Sequence, residues 1–599
     1  MCKVSINGKE FEVAQTSTIY EAATHAGVKI PTLCYLEGLK PMGACRVCLV
    51  EVEGAPTLVA SCSTPVREGM VIKTNSKRVR DARRTVVSLM LSEHEGDCQL
   101  CARSNDCELR QLAEELGIRT NQYQGEKPGG TLDDSSAALI RDNAKCIKCR
   151  RCVQVCSEIQ RVGVLSAQYR GYRTTIGPAF TDPLESVACV QCGQCAAVCP
   201  VGAIIETSHV EPVLSALDNP KKYVVVQTAP AIRAALGECF GLPPGTLVTG
   251  KMVSALRALG FNAVFDTDFT ADLTIMEEGT ELLTRLRNKF VLGKEGRLPQ
   301  YTSCSPGWIN YAEHYFPETL NNISTCKSPQ QMFGALAKTY YAQKAQVDPK
   351  DMVVVSVMPC TAKKFEAARP EMRSSGYQDV DYVLTTRELG DLIKLSGVDF
   401  DSLDEGEMDA PLSISTGAAD IFANTGGVME AAIRTVHAVT TGRSLETENL
   451  HIAPLAGLEG IKTASVTLTG TVDAWSFLEG KSVKVAVAHG LGNAATLIEY
   501  IREHPDEFQF VEIMTCPGGC IGGGGQPRFT TDAVRKARIE AIYREDEGKQ
   551  FRQSHENPAI QTLYQEFLGK PLGETSHHLL HTTYAAKPKV TSDSAQETG

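Results

Sequence analysis

The length of 599 residues predicts several domains, and an apolar fraction of 43% is ordinary for a globular protein. The net charge of −11 includes no concentrated basic tract, which argues against nucleic acid as a partner. The sequence has no apolar run near the roughly 18 residues of a membrane helix. It also starts without a signal peptide's apolar core or a twin-arginine signal, so we predict a cytoplasmic protein. In that compartment, 22 cysteines indicate metal ligands rather than disulfides.

The first predicted domain comprises residues 1–78. Alternating residues over Lys3–Val13 predict strands, and a helix should follow and end at Gly27. Four cysteines come next, two of them in a tight C-x2-C pair whose small neighbours let backbone N–H groups reach the sulfurs. The predicted ligands are Cys34, Cys45, Cys48 and Cys62. Their spacing departs from the plant-type ferredoxin pattern, and zinc is the alternative metal.

The second predicted domain, residues 79–125, begins with an amphipathic helix over residues 78–92. One histidine and three cysteines follow immediately, namely His94, Cys98, Cys101 and Cys107. An imidazole and three thiolates can hold a [4Fe–4S] cluster, and a structural Cys3His zinc site is the alternative.

After a Gly/Pro/Asp/Ser-rich linker over residues 125–136, the third predicted domain spans residues 137–210. It contains the run C-x2-C-x2-C-x3-C twice, which is typical of bacterial two-cluster ferredoxins. In that pattern the fourth cysteine of each run ligates the other cluster. The sequence therefore predicts one [4Fe–4S] cluster on Cys146, Cys149, Cys152 and Cys199, and another on Cys189, Cys192, Cys195 and Cys156.

From Lys222 onward, predicted strands and helices alternate, which is typical of α/β folds. Short apolar strands are predicted at Tyr223–Gln227, Val353–Val357 and Val483–Ala488. Helices are predicted at Glu281–Leu292, Gln330–Gln346, Arg387–Leu395 and Met429–Val436. The polar end, residues 585–599, is predicted to be disordered.

Three loops of this region, at 302–308, 358–366 and 512–527, carry cysteines in turn-forming contexts. Six of the nine residues from Pro517 to Gly525 are glycine, which a chain uses where its backbone approaches a partner closely. Thiolates select iron–sulfur clusters, zinc or Cu(I). Cysteines surrounded by glycine therefore indicate a buried inorganic cofactor, and a flexible loop with ordinary core cysteines is the alternative.

Together the three loops resemble the signature segments of [FeFe]-hydrogenases. These hold the H-cluster, a [4Fe–4S] cubane joined by a cysteine sulfur to a two-iron site with CO, cyanide and a dithiolate. The long form of this family, found in NAD(P)-linked multi-subunit hydrogenases, begins with iron–sulfur domains that are similar to those of complex I's large peripheral subunit. The resemblance implies ferredoxin-like domains before a catalytic domain over residues 220–584, with two four-stranded sheets flanked by helices. It also implies one [2Fe–2S] cluster, three accessory [4Fe–4S] clusters and an H-cluster.

The resemblance further implies individual roles. Cys360, Cys516 and Cys520 match cubane ligands, with Cys520 bridging to the two-iron site, and Lys363 matches a lysine that donates to cyanide. The proton path aligns with Cys304, Glu278, Ser324, Glu281 and Arg285. The cofactor pocket aligns with Ser305, Ala229, Pro230, Met358 and Met514. Ala231 stands where the family often has a cyanide-contacting serine. Without the resemblance, residues 276–281 would be interpreted as a solvated helix start.

The first loop departs from the family at one cubane ligand. The family has two adjacent cysteines there, a proton relay and a ligand, and the ligand position lies 55 residues before Cys360. Here that residue is Ser305. Either Ser305 faces the fourth iron while Cys304 keeps the relay position, which we favour, or Cys304 ligates and Ser305 relays.

The sequence thus predicts a reversible hydrogenase subunit with flavin- and NAD(P)-binding and [2Fe–2S] partner subunits, or ferredoxin, as redox partners. The glycine run 522–525 is no strand–helix dinucleotide motif, so NAD(P) should bind a partner. A hydrogen sensor and a pure electron-transfer subunit are the alternatives. Cys2, Cys239 and Cys326 are predicted to be ordinary buried residues rather than ligands.

Overall fold

The computed structural model describes residues 1–123, 127, 129–294, 296–445 and 459–589. The chain forms two compact units. The first unit comprises residues 1–158, 163–187 and 198–205. The second unit comprises residues 159–162, 188–197 and 206–599.

A five-stranded sheet opens the first unit. The strands run Lys9–Val13, Cys2–Ile6, Met70–Lys73, Leu49–Val52 and Val59–Ala60 in spatial order. The first two strands form an antiparallel hairpin in which Cys2 pairs with Val13. Alternate residues of the edge hairpin, among them Cys2, Val4 and Ile6, face the core, as the period of two requires. The predicted strands of this domain are thus present.

The remaining elements of the first unit are short apart from one helix of 17 residues, Lys77–Glu93, which agrees with the predicted helix over residues 78–92. The other helices are Ile19–His25, Glu108–Glu115 and Arg151–Gln154. Further strands are Leu132–Asp133, Leu139–Asp142, Ser166–Gln168 and Thr175–Gly177. Strand Ile204–Glu206 and helix Gln194–Val198 have residues in both units.

The predicted linker over residues 125–136 is wrong at its C-terminal end and lies partly outside the described residues. Leu132–Asp133 pairs antiparallel with the following strand, so that Asp133 lies opposite Arg141. The two side chains form a buried ion pair of 3.3 Å. This pairing orders a stretch whose composition alone indicated a loop.

The first sheet of the second unit is wholly parallel. Its strands are Ala263–Asp266, Tyr223–Thr228, Met352–Met358 and Tyr382–Thr385 in spatial order. Every residue of Met352–Met358 is buried, because helices cover both faces of a parallel sheet. Such strands are continuous apolar runs, which is why the sequence revealed the central ones.

The second sheet has four strands in the order Gln300–Tyr301, Phe510–Met514, Ser482–His489 and Ile461–Thr467. The first three are parallel to their neighbours, and the last is antiparallel. Two four-stranded sheets flanked by helices are therefore present, as predicted.

A 24-residue helix, Thr267–Phe290, is the longest of the second unit. The predicted bounds of Glu281–Leu292 are wrong at the start, because the preceding turns are buried and yet rich in Thr, Asp and Glu, which hides their apolar periodicity. Asp266 begins the helix by accepting a hydrogen bond from the backbone N–H of Asp268. The interpretation of residues 276–281 as a solvated start is wrong too, since Glu277, Glu278 and Glu281 are buried.

The predicted helix over residues 330–346 consists of an α-helix, a π-turn over Ala337–Tyr341 and a final α-turn. The helices of the second unit are Val210–Leu217, Pro230–Arg233, Thr249–Ala258, Thr267–Phe290, Pro306–Tyr315, Pro329–Leu336, Ala342–Ala345, Ala362–Ala367, Thr386–Leu395, Gly417–Asp420, Gly427–Thr441, Leu491–Glu503, Asp532–Gly548, Pro558–Leu563 and Glu574–Leu580.

The predicted disordered end lies mostly outside the described residues, but its first part is packed. Lys587 donates from its backbone to the Glu313 carbonyl, 2.9 Å away, and its ammonium lies 2.5 Å from the Glu313 carboxylate. In the described part of the chain, no helix has the length and apolarity needed to cross a membrane.

Candidate active site and iron–sulfur sites

One cavity of the second unit collects the three cysteine loops. It has about 760 Å³ of space between atoms, and we call it the central cavity. The strands that end at Thr228, Met358 and Met514 lead into segments that line this cavity. Parallel sheets generally bind ligands beyond the carboxyl ends of their strands. The predicted site residues that line it are Ala229, Pro230, Cys304, Ser305, Met358, Cys360, Lys363, Met514, Cys516 and Cys520.

The lining of the central cavity fits a sulfur-ligated iron cofactor. Cys516 is buried, and Cys304, Cys360 and Cys520 are partly exposed because they face the cavity. Burial raises the pKa of Cys520 to about 12, so a thiolate there calls for a cation beside it. Thiolates gathered around an otherwise apolar space are the donor set that iron–sulfur clusters take.

The glycine loop, Cys516–Gly525, packs against backbone at distances that exclude a side chain. A Cβ atom at Gly523 would lie 2.1 Å from the carbonyl oxygen of Pro359, the residue before Cys360. Gly519 has a φ of +90°, and a Cβ there would lie 2.6 Å from the Thr425 nitrogen. Glycine is therefore required to bring Cys516 and Cys520 up to Cys360, and the alternative of a flexible glycine loop is wrong.

Glu512 lies in the strand Phe510–Met514, which leads into this loop, and its hydrogen bonds fix the strand's position. Its carboxylate accepts backbone hydrogen bonds of 2.7 Å from Gly426 and 2.7 Å from Met429, at the start of the helix Gly427–Thr441. Burial raises the pKa of Glu512 to about 7, although these two N–H groups and Lys462 oppose the rise. A carboxylate at a helix N-terminus is stabilised there by the helix dipole.

Lys363 forms hydrogen bonds to two of the segments around the central cavity. Its ammonium donates to the Cys304 carbonyl, 3.1 Å away, and to the Glu366 carboxylate, 3.0 Å away. Gln330 donates to the same carboxylate at 3.1 Å, while its Oε1 has no hydrogen-bond partner among the described residues. The cavity therefore carries one fixed cation and one buried amide oxygen.

Cys304 and Ser305 point to different partners. The Ser305 hydroxyl lies 2.8 Å from the Thr515 hydroxyl and accepts a 3.3 Å hydrogen bond from the Thr515 backbone N–H. Burial, followed by the charges of Glu278 and Cys520, raises the pKa of Cys304 well above its usual value. The charge of Glu278, the first carboxyl of the predicted proton path, thus acts on Cys304, whereas Ser305 contacts the residue before Cys516.

Three of the four remaining residues of the predicted proton path are joined by hydrogen bonds. Ser324 donates to Glu281 over 2.8 Å, and Arg285 donates to the other oxygen of Glu281 over 2.6 Å. Burial and the charge of Glu281 raise the pKa of Glu278 to about 8, against hydrogen bonds that include one from Ser324. The side chains of Arg285 and Glu281 are 9% and 11% exposed, so this part of the path is almost fully buried.

Three of the four predicted accessory sites lie within the first unit. Cys34, Cys45, Cys48 and Cys62 are all buried, and the sulfurs of Cys48 and Cys62 are 3.4 Å apart. A cavity of about 310 Å³ is lined by His94, Cys98, Cys101 and Cys107. A cavity of about 390 Å³ is lined by Cys146, Cys149, Cys152 and Cys199.

The Nδ1 atom of His94 is buried and has no hydrogen-bond partner among the described residues. Burial also lowers the pKa of His94, which favours the neutral imidazole that a metal requires. Both observations suit a ligand.

Of the fourth accessory set, Cys156 belongs to the first unit and Cys189, Cys192 and Cys195 to the second, and this set stays a prediction. The segment that carries the latter three is hydrogen-bonded to the catalytic loops. Gln194 donates to the Gly522 carbonyl over 3.0 Å. Thr361 donates to the Gln191 carbonyl over 2.8 Å.

The sequence did not single out Gln330, Phe422 and Thr515, which also line the central cavity. The sequence predicts only that Gln330 starts a helix. The pair Gln330 and Gln331 was the signal that could have indicated a polar site, because a buried amide requires a hydrogen-bond partner. Phe422 gave no signal, because an aromatic residue in a small-residue stretch is ordinary core composition.

Comparison with known families agrees with this arrangement. Residues 222–524 match the iron only hydrogenase large subunit, C-terminal domain, and residues 532–587 the iron hydrogenase small subunit. Residues 1–77 match a 2Fe-2S iron-sulfur cluster binding domain, and residues 145–203 a 4Fe-4S dicluster domain. Residues 83–122 match the NADH-ubiquinone oxidoreductase-G iron-sulfur binding region. The chain belongs to the iron-only hydrogenase family, and it is an iron hydrogenase.

Among its relatives, the NADP-reducing hydrogenase subunit HndD of Solidesulfovibrio fructosivorans is 50% identical over 596 residues, which are 98% of this chain and 100% of that protein. Iron hydrogenase 1 of Clostridium pasteurianum is 38% identical over 98% of this chain and 100% of its own length. An apo [FeFe]-hydrogenase structure from Chlamydomonas reinhardtii is 43% identical and covers 64% of this chain and 100% of that one, with a TM-score of 0.57.

Proposed function

We propose that this iron hydrogenase is the hydrogen-activating subunit of a cytoplasmic complex that exchanges electrons with NADP⁺ through flavin- and [2Fe–2S]-binding partner subunits. The whole-chain similarity to a subunit named NADP-reducing supports NADP⁺. The complex I-type region at residues 83–122 supports a nicotinamide-linked complex in general. NAD⁺ and ferredoxin are the competing acceptors.

Cys360, Cys516 and Cys520 would hold the H-cluster in the central cavity, and Ser305 would take the fourth cubane position. When bound, the cofactor supplies the open iron site at which hydrogen is split or formed. Lys363 and Gln330 contribute one cation and one amide to the cavity wall, where they orient polar ligands of the cofactor. The apolar residues Ala229, Pro230, Met358 and Met514 keep water out, which strengthens every hydrogen bond within the cavity.

Protons move between the cavity and the surface along Cys304, Glu278, Ser324, Glu281 and Arg285. This proposal is carried by the unbroken contacts of Ser324 and Arg285 with the Glu281 carboxylate, 2.8 Å and 2.6 Å long. A carboxyl whose pKa is about 8 can both give and take a proton near neutral pH, which suits Glu278 to a relay. The presence of all five residues in the chain supports a turnover enzyme over a hydrogen sensor.

Electrons pass through one [2Fe–2S] and three [4Fe–4S] accessory clusters. The last of them is bound in part by Cys189, Cys192 and Cys195. The hydrogen bond from Gln194 to Gly522 supports this order, because it ties that cysteine segment to the loop that carries Cys516 and Cys520.

The variant Cys304→Ala tests the relay in the full chain, matured with its two-iron site. We expect hydrogen production to fall by about 10² or more, the scale of a positioned proton-transfer group, while CO and cyanide infrared bands persist. Cys239→Ala, at a cysteine remote from the predicted ligand sets, is the control. Full activity of Cys304→Ala would remove Cys304 from the relay, and loss of the bands would make it a ligand.

The acceptor is tested with the purified complex. NADP⁺ reduction by H2 that requires the partner subunits supports the proposal. Reduction of NAD⁺ or ferredoxin instead, with no NADPH formed, would contradict it.

A further inference from the structure

We propose that Glu281, Cys326 and His581 form a binding site for a divalent zinc ion, and that zinc bound there blocks the Glu281 step of the proton path. One ligand atom from each residue, a carboxylate oxygen, the thiol sulfur and an imidazole nitrogen, lies within 4.8 Å of the others, and all three residues are buried. Carboxylate, thiolate and imidazole are the three protein ligand types that zinc takes, and three of them leave a fourth position for water. The blocking rests on the proton path proposed above, whereas the binding does not.

The backbone brings two of the ligands side by side. Cys326 and His581 are partners in an antiparallel bridge, and hydrogen bonds of 2.8 Å from Lys327 to Leu580 and of 2.7 Å from Thr582 to Thr325 flank it. The Cys326 sulfur and the His581 Nδ1 atom are 4.0 Å apart. In a tetrahedral zinc site, bond lengths of about 2.3 Å and 2.0 Å separate these atoms by roughly 3.6 Å, so a small side-chain adjustment suffices.

The hydrogen bonds of His581 leave its Nδ1 lone pair directed to the site. Nε2 lies 3.2 Å from Glu277, whose carboxylate also accepts from Tyr564 over 2.6 Å, from Ser576 over 2.7 Å and from the Leu572 backbone over 2.8 Å. Although burial favours the neutral carboxyl, these hydrogen bonds lower the pKa of Glu277. An ionised Glu277 therefore accepts the Nε2 proton, and the second ring nitrogen is the acceptor. A carboxylate behind the histidine is the common arrangement at zinc sites.

The local charge favours a cation at Cys326. Burial, then the charges of Glu281, Glu278 and Glu277, raise the pKa of this thiol well above its usual value. Arg285 is the basic group that contacts Glu281, through one carboxylate oxygen. Zinc would replace the thiol proton of Cys326, which leaves to solvent, and would take the Thr325 hydroxyl's place at Nδ1, now 2.8 Å away.

Zinc bound at this site would lower the basicity of the Glu281 carboxylate. The same carboxylate accepts from Ser324 and Arg285 on either side, and the step between them requires it to exchange a proton. A zinc-bound carboxylate loses that basicity. Zinc should therefore inhibit both hydrogen oxidation and proton reduction, without displacing any iron.

The test adds one equivalent of Zn²⁺ to the reconstituted full chain and removes the excess by gel filtration. We expect the wild type to retain one more zinc than Cys326→Ala or His581→Gln, and zinc K-edge X-ray absorption to show one sulfur and two or more nitrogen or oxygen neighbours. Cys239→Ala should retain zinc like the wild type. Zinc held at other sites, His94 included, cancels in this comparison. Cys326→Ser, with the iron content as the check on folding, replaces Cys326→Ala if the alanine variant does not fold.

In the wild type and the Cys239 variant, zinc should lower hydrogen production on the order of a hundredfold, and a chelator should restore it. In the variants at Cys326 and His581, zinc should have no such effect. Equal zinc retention by all variants, or a zinc environment without sulfur, would overturn the site and leave the proton path standing. Zinc retained through Cys326 with unchanged turnover would overturn the block, and with it the place of Glu281 in the path.

Discussion

In our proposal Ser305 occupies a cubane ligand position, where its hydroxyl would replace a thiolate. A hydroxyl has a far higher pKa than a thiol, and its oxygen is a harder ligand than iron–sulfur clusters prefer. In the structure the Ser305 hydroxyl contacts Thr515, and the charge of Glu278 acts on the Cys304 thiol. The ligand roles that we favour from the sequence stay a prediction, under which the fourth iron would have a weak or exchangeable ligand.

We therefore expect Ser305→Cys to raise the occupancy of the cubane in the catalytic unit. Iron analysis and EPR spectra of the full chain before maturation measure it, with Ser303→Cys as the matched control at a neighbouring buried serine whose hydroxyl donates to the Cys326 carbonyl. Unchanged cubane occupancy in Ser305→Cys would show that Cys304 already serves as the fourth ligand.

The titration of Glu278 gives a second prediction at this scale. Its pKa is raised from about 4.3 in an unfolded chain to about 8, because burial and Glu281 disfavour the charge. A raised pKa stabilises the fold below the unfolded value, and this contribution is lost as the pH rises through the folded value. Each unit of pKa separation is worth about 1.4 kcal/mol.

Glu278→Gln should thus gain thermal stability relative to the wild type as the pH rises from 5 to 9. The melting transition of the catalytic unit measures this difference. Glu503→Gln, at an exposed helix end, should show no such trend. A difference between wild type and Glu278→Gln that does not vary with pH would mean that Glu278 is already solvated.

At the scale of elements, the segment over residues 188–197 connects cysteine ligands with the catalytic loops. Gln194 holds it to Gly522, and a Cβ at Gly524 would lie 2.2 Å from the Cys192 carbonyl oxygen. The two segments are therefore packed too closely to admit a side chain at Gly524.

We expect Gln194→Leu to slow hydrogen production with external electron donors several-fold while hydrogen–deuterium exchange, which needs no external electrons, is retained. The loss would follow from displacement of the cysteine segment relative to the glycine loop. Gln168→Leu, on a short strand of the first unit, is the control. Equal losses in both assays would mean that Gln194 supports the cofactor itself rather than electron delivery.

The sequence predicted those elements whose pattern is local. Cysteine spacing located the proposed ligands of the accessory clusters, and the apolar run before Cys360 located a central strand. The zinc ligands Glu281, Cys326 and His581 are distant in sequence, so no spacing pattern could predict them. The order of strands in each sheet depends on pairings between distant segments, such as Tyr223 with Met352, and no local pattern encodes them. The sequence predicts only the second half of the long helix Thr267–Phe290, because its buried Thr, Asp and Glu side chains do not follow an apolar period. Several of their hydrogen-bond partners lie on other elements, as Thr416 does for Asp272 and Ser576 for Glu277.

At the scale of the whole molecule, the four accessory ligand sets predict the metal content. The full chain before maturation should hold one [2Fe–2S] and three [4Fe–4S] accessory clusters, counted by iron analysis and EPR. His94→Ala should remove the signal of one [4Fe–4S] cluster and leave the other three clusters. Zinc in place of iron at His94 would contradict that assignment, although the other three sets would stand.

The central claim is that the cavity between Cys304, Cys360, Cys516 and Cys520 holds a functional H-cluster. The most direct test is infrared spectroscopy of the matured full chain, combined with hydrogen turnover on the same sample. We predict CO and cyanide bands that shift under hydrogen, together with hydrogen production. A matured sample with full accessory clusters but no such bands would contradict the claim.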